Sequence, residues 1–310
     1  MSHGEWIGHY TGPEADMSTY PNLSAAPSLT AFVFAGGGSL GAIEVGMLRE
    51  LLDHGVRPGC VIGASVGAIN AAYFAGRPDG DGVAMLELLW CRIRRRDVMP
   101  LTMFGLLEMM LSRRSHLVDA TALRMLLEKN LSFSRVERAA IPLHIVATDM
   151  HSGKEIILSS GPLVDAVLAS AAIPGVFPPV RIGGVDLVDG GVANNTPISV
   201  AISLGATRVI VLPAGFACAM HKPPSNAIAQ AMHALTLLIA RQLVRDLESY
   251  SSHAEIFVVP PLCPLDVSPY DYTQCDRLIE RAAEKTRAWL HEGGLERGFI
   301  PGELREHTHA

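Results

Sequence analysis

The chain has 310 residues, 49% of them hydrophobic, and carries a formal net charge of -6 at pH 7. That length buries a core in one α/β domain or in two smaller ones, and the acidic balance excludes the chain as a whole as an electrostatic partner for nucleic acid. Its five cysteines, Cys60, Cys91, Cys218, Cys263 and Cys275, are scattered without a Cys-x-x-Cys pair, so they read as buried small hydrophobes of a reducing compartment and not as disulfides or zinc ligands.

Residues 1–28 are rich in Gly, Pro, Ser and Tyr without periodicity and read as a tail, with Trp6, Tyr10 and Tyr20 available to pack. No basic start followed by an apolar run is present there, so a signal peptide is not expected. Residues 29–35 form a continuous apolar run, the mark of a buried strand. Gly36-Gly37-Gly38-Ser39-Leu40-Gly41 follows, then an amphipathic helix over 42–54 stopped by Gly55. A second strand, 59–62, enters Gly63-Ala64-Ser65-Val66-Gly67, and a helix begins after Ser65. Strand, glycine loop, helix, strand and turn make a parallel βαβ unit.

Residues 77–82 read as a loop and 83–131 as a helical insertion. Within it, the arginines after Cys91 lead into a stretch crowded with Met and Leu, so that 92–111 is a candidate for peripheral contact with an anionic lipid surface, against the alternative of a helix pair packed on the core. A buried strand is expected near 140–148, with 155–159 pairing back on it. A short helix follows at 163–172. A hairpin at 180–188 turns at Gly183-Gly184 and closes on Asp189-Gly190-Gly191. Thr196 is expected to cap a helix with Pro197 at its first position. A strand at 208–212, a long helix from 227, a strand at 255–259, a helix over 275–291 and a polar tail over 292–310 complete the chain. The helix over 227–243 is broken by His233 and Arg241 and is too short and polar to span a bilayer. The expectation is one α/β domain over 29–291, with a central, mostly parallel sheet between helical layers, in the cytoplasm or peripheral at a membrane.

Gly-x-Ser-x-Gly between strand and helix holds a serine exposed on a sharp turn. The glycines flanking Ser65 remove side chains that would clash there. The loop at Gly36–Gly41 has two readings. As Gly-x-Gly-x-x-Gly it is the dinucleotide fingerprint, which would bind NAD or FAD but wants an acidic residue at the end of the next strand; that strand ends instead in Gly63-Ala64-Ser65. As an oxyanion hole it offers converging N–H groups with no side chain in the way, and this reading is the better supported. A phosphate loop would need a following lysine, and none follows.

The base for Ser65 is open at this stage. His54 and His233 fall in helix patterns and His144 in a strand, while His151 and His253 lie in loops. Asp189 follows an apolar strand and precedes two glycines that allow close approach, so its carboxylate could take the serine proton if burial raises its pKa. Asp186 is the local rival, beside the Gly183-Gly184 turn.

Taken together these blocks resemble the patatin-like phospholipase family. Gly36–Gly41 is similar to its glycine-rich oxyanion loop, Gly63-Ala64-Ser65-Val66-Gly67 to its nucleophile turn, and Asp189-Gly190-Gly191 to its Asp-Gly-Gly/Ala motif. The run from Ala169 to Pro179 is similar to the segment before that aspartate. The resemblance implies a Ser65–Asp189 dyad without histidine and an oxyanion held by the amides of Gly37, Gly38 and Ser39. It further implies hydrolysis of acyl esters of lipids, with no metal and no cofactor. The sequence departs from the family at Leu40, where Arg or Lys is usual.

Overall fold

The structure is a computed structural model that describes residues 28–100, 116–215, 227–296 and 301–304. The strands are β1 (Thr30–Phe34), β2 (Cys60–Ala64), β3 (Leu143–Asp149), β4 (Glu155–Leu158), β5 (Val180–Ile182), β6 (Val185–Asp189), β7 (Arg208–Leu212) and β8 (Glu255–Val258). The helices are α1 (Gly41–Asp53), α2 (Val66–Gly76), α3 (Gly80–Arg92), α4 (Arg95–Val98), α5 (Thr121–Asn130), α6 (Leu163–Ser170), α7 (Gly191–Asn194), α8 (Ile198–Ser203), α9 (Ala227–Tyr250) and α10 (Cys275–His291).

One eight-stranded sheet runs in the order β5-β6-β3-β2-β1-β7-β8, with β4 paired to β3 off that path. The five strands from β3 to β8 pair in parallel, while β4, β5 and β6 add antiparallel pairs at one side. The central strands are apolar on both faces because helices cover both. Phe32 and Phe34 point into one core with Leu48, Phe74 and Ile279. Ala31 and Val33 point into the other with Val200, Leu243 and Leu247. Period-2 alternation along β1 thus feeds two separate cores, which makes the architecture three-layer α/β/α. Between α1 and α10 the approach is very close: a Cβ added at Gly46 would lie 2.1 Å from the Ile279 carbonyl oxygen.

The register around β3 positions the site. On one edge β2 pairs with Leu143 to Val146, and β6 takes over from Ala147 to Asp149. β4 pairs with residues 145–148, overlapping both, and so occupies the other edge. β2 and β6 therefore abut end to end, and their ends carry Ser65 and Asp189.

Several expected boundaries move. Residues 77–82 are not all loop: α3 starts at Gly80, where Asp79 caps it by accepting from the Gly82 N–H at 2.8 Å. The glycines of that turn hid the helix from periodicity. Pro197, not Thr196, holds the N-cap of α8, and no side chain caps it. The one-turn helix α7 directly after Asp189-Gly190 is unforeseen. Part of the expected C-terminal tail packs, with Leu304 buried in the second core. Cys60 and Cys275 are buried as expected, but Cys91 is exposed. Residues 1–27, Cys218, most of the Met- and Leu-rich stretch (101–111) and the end of the chain beyond 304 lie outside the described residues.

Candidate active site

β2 delivers Ser65 to a backbone conformation of φ 55 and ψ -127, and Ser65 is the one non-glycine residue with positive φ among the described residues. Such a conformation costs free energy and persists only where its surroundings impose it. A Cβ added at Gly63 would lie 2.4 Å from the Gly67 carbonyl oxygen, and one at Gly67 the same distance from that of Phe34. The two motif glycines are therefore demanded by contact. Ser170, fully buried, does the rest: its Oγ accepts from the Ser65 N–H at 2.9 Å and donates to the Val146 carbonyl.

Ser65 Oγ donates to Asp189 Oδ2 at 2.7 Å. Asp189 Oδ1 accepts from the Gly191 N–H at 2.7 Å. Thr148 Oγ1 donates to the Asp189 carbonyl and accepts from the Ala193 N–H, which pins the turn into α7. Burial pushes the Asp189 carboxyl from 3.8 up to about 6, against the lowering effect of the Ser65 and Gly191 hydrogen bonds. A carboxylate of that basicity is charged at neutral pH and still able to accept a proton. Asp186 bonds to Arg181 and faces His151 instead. His144 pairs with Ser159, and His253 with Ser252. No histidine among the described side chains bonds Ser65 or Asp189; the side chain of His233 lies outside them.

The glycine loop lies against Ser65, since a Cβ added at Gly36 would come 3.1 Å from Ser65 Cβ. The Gly36 N–H donates to the Asn195 carbonyl at 3.0 Å, and Asn195 Nδ2 donates to the Gly36 carbonyl at 3.2 Å. Gly38 has φ 61, and a Cβ there would lie 2.5 Å from the Pro269 carbonyl oxygen. That carbonyl accepts from the Ser39 N–H at 2.8 Å, and Ser39 Oγ donates to Ser268 O. Ser39 is thus a correction: its amide, expected to face an oxyanion, is held by a strap from the C-terminal part of the chain. Among the described residues no hydrogen bond engages the N–H groups of Gly37 or Gly38. Leu40 is buried, and a Cβ added at Gly215 would lie 2.6 Å from its Cδ1, so apolar packing stands at the position where the sequence departs from the family's usual Arg or Lys.

Burial pushes the carboxyl of Glu44, fully buried on α1, well above the usual carboxylate range, against the lowering effect of its hydrogen bond from Asn70. Asn70 Nδ2 donates to Glu44 Oε2 at 2.7 Å and to the Gly41 carbonyl at 2.9 Å, and Trp90 Nε1 donates to Asn70 Oδ1 at 2.9 Å. This network ties the end of the glycine loop to α2 and α3. An apolar cleft lies beside it, lined by Val66, the residue after Ser65, and by Ile69, Leu89, Trp90 and Leu123. Tyr272 also lines it and stacks on Trp90 with centroids 6.3 Å apart. Neither the network nor Ser170, Asn195 and Pro269 was singled out for a role in the sequence, because each acts through residues distant along the chain.

A family model described as patatin-like phospholipase matches residues 32–202, more than half of the chain. An uncharacterized NTE family protein of Mycobacterium tuberculosis is 36% identical over 195 residues, covering 63% of this chain and 31% of that protein. Patatin-like phospholipase domain-containing protein 7 of Mus musculus is 29% identical over 187 residues, covering 60% of this chain and 13% of that protein. The chain spans less than a third of the length of either relative. Among solved structures, VipD from Legionella pneumophila aligns with a TM-score of 0.46 at 16% identity, covering 86% of this chain and 67% of that one.

Proposed function

The chain belongs to the patatin-like phospholipase family, and from that premise we propose that it hydrolyses acyl esters of lipids, with Ser65 as nucleophile and Asp189 as its base. The observation that carries this reading is the 2.7 Å hydrogen bond from Ser65 Oγ to a buried carboxylate. Asp189 takes the hydroxyl proton as Ser65 Oγ attacks the ester carbonyl carbon. The oxyanion that forms is held by the Gly37 and Gly38 N–H groups and by the positive end of α2, which begins directly after the nucleophile. The C–O bond to the alcohol breaks, and Asp189 returns the proton to the departing oxygen. Water then hydrolyses the acyl-Ser65 intermediate by the same steps in reverse order.

The cleft lined by Val66 suits a single acyl chain, because its lining is almost wholly apolar. Met85 and Leu88 on α3 and Met125 on α5 are exposed, and so are Arg92 at the end of α3 and Arg94, Arg95 and Arg96 after it. Exposed apolar side chains together with cations suit the surface of an anionic bilayer. No helix among the described residues is long and apolar enough to cross a membrane. The test is hydrolysis of p-nitrophenyl esters by folded Ser65→Ala and Asp189→Asn variants. Both lose turnover by about 10⁴-fold or more, and near-normal activity in either overturns the dyad.

A further inference from the structure

Asn195 lies between the groups of this site and was in none of the expected site residues. Its hold on Gly36 is double, through its backbone carbonyl and through Nδ2. Because only the NH2 end of an amide can serve the Gly36 carbonyl, the orientation of the side chain is settled and Oδ1 is the end left over. That oxygen has a definite place. A Cβ added at Gly36 would lie 2.3 Å from it and 3.1 Å from Ser65 Cβ. A Cβ added at Gly191 would lie 2.7 Å from it and 3.0 Å from Asp189 Oδ1. Oδ1 therefore lies close to both Ser65 and Asp189, beside two glycines whose missing side chains keep it uncovered. Asn195 is 6% exposed, yet among the described residues Oδ1 receives no hydrogen bond. Oδ1 is not sealed from solvent as the neighbouring Asn194 Oδ1 is, so a small donor arriving during the reaction can reach it.

We infer that Asn195 Oδ1 accepts one hydrogen bond from the water that hydrolyses the acyl-Ser65 intermediate while Asp189 accepts the other. The inference rests on the acyl-enzyme route proposed above. Water has two protons. The one facing Asp189 transfers to the carboxylate as the water oxygen bonds to the acyl carbon. The second stays on that oxygen and points at Asn195, which turns a lone pair toward the carbonyl and removes the rotation a singly held water would keep. The Ser65 Oγ–carbon bond then breaks, and Asp189 returns its proton to Ser65 Oγ. The product leaves as the carboxylic acid, and the Asn195 amide is unchanged.

The test uses p-nitrophenyl butyrate with the full chain, comparing the wild type with Asn195→Ala and Asn195→Gln in water and in dilute methanol. Methanol has one proton to donate and has no use for the second acceptor. In Asn195→Ala the first-turnover burst of p-nitrophenol stays within about threefold of the wild type, and the steady state falls about 10- to 100-fold. Butyryl-Ser65 accumulates by intact mass, and the methyl ester share of the product rises. Asn195→Gln keeps both the NH2 donor and the oxygen acceptor, and its product ratio stays close to the wild type. Should Asn195→Ala not fold, Asn195→Leu, of similar size and without an acceptor, is read in the same way. A product ratio unmoved by loss of the acceptor, or burst and steady state falling by one common factor, overturns the inference and leaves the dyad standing. A wild type that shows no turnover overturns both.

Discussion

Ala64 and Asp189 occupy consecutive places along one edge of β3, Ala64 opposite Val146 and Asp189 opposite Ala147. The parallel strand β2 and the antiparallel strand β6 meet there head to head, and each chain must leave the sheet at the junction. β2 leaves through Ser65 into α2, and β6 leaves through Gly190 into α7. Crowding at the junction is what makes Gly190 small, since a Cβ there would lie 2.1 Å from the Val146 carbonyl oxygen. The Ser65–Asp189 hydrogen bond is a consequence of sheet register, and both groups sit on rigid elements.

The pH dependence of the reaction follows from the burial of Asp189. Its carboxyl, raised from 3.8 to about 6, must be ionised to accept the Ser65 proton. kcat/KM therefore rises with pH through about 6 and levels off above it, which a pH–rate profile on a p-nitrophenyl ester reads directly. Stability runs the other way. Between 3.8 and about 6 the folded chain holds a proton that the unfolded chain has lost, so this group's contribution falls as pH rises through that window. Above it, charging Asp189 costs the fold about 3 kcal/mol. Asp189→Asn removes that cost, so the inactive variant should unfold at a higher temperature than the wild type at pH 8, with the gap narrowing towards pH 4.

Ser170 holds the strained turn through one hydroxyl. Ser170→Ala leaves the buried Ser65 N–H and the Val146 carbonyl without that partner, at a cost of about 1–3 kcal/mol. It also frees Ser65 to leave φ 55. The expected result is a lower thermal midpoint together with about a tenfold loss of kcat. A variant with an altered midpoint and full kcat would show that the turn keeps its shape without Ser170.

Much of this site was legible in the sequence, and the limits have physical reasons. The run Gly63 to Gly67 betrays itself because a sharp turn and a close approach to Phe34 both exclude side chains. Asp189 stood out through its flanking glycines; Gly190 borders the Val146 backbone and Gly191 the side chains of Asn195 and Asp189. What could not be read was partnership. Nothing near residue 39 announces that the Pro269 carbonyl will take the Ser39 N–H, because that contact joins two loops far apart in the chain. Ser170 and Asn195 look like ordinary small or polar residues in α6 and after α7 until β3 brings their segments together. The start of α3 was hidden for a local reason: Gly80 and Gly82 are poor helix formers, and the cap from Asp79 outweighs them.

The buried network under the glycine loop separates charge from shape. Burial raises the Glu44 carboxyl and so favours its neutral form; Glu44→Gln is then expected to change little of what Asn70 meets, and its midpoint should stay within a few degrees of the wild type at pH 7. Asn70→Leu has the opposite effect. It strands Trp90 Nε1, the Gly41 carbonyl and Glu44 Oε2 in a dry interior, at a cost of roughly 3–5 kcal/mol. Chemical denaturation of the two variants makes the comparison. A Glu44→Gln variant as unstable as Asn70→Leu would mean that Glu44 is charged in the folded chain.

The apolar cleft makes a claim about acyl length. Ile69 lies one turn along α2 from Val66 and is only partly buried, so a larger side chain there can enter the cleft without displacing the core. A short acyl group ends near Val66 and does not meet that side chain, whereas a longer chain must pass it. Each methylene buried is worth about 0.8 kcal/mol, so blocking even two of them removes about tenfold in kcat/KM. Ile69→Trp should therefore lower kcat/KM for p-nitrophenyl octanoate by at least about tenfold and leave p-nitrophenyl acetate within about threefold. The comparison is internal to one protein preparation, so a partly unfolded variant would depress both esters equally. An equal fall would remove the cleft as the acyl site. A selective loss of the longer ester would place the chain between α2, α3 and α5, with its carbonyl at Ser65.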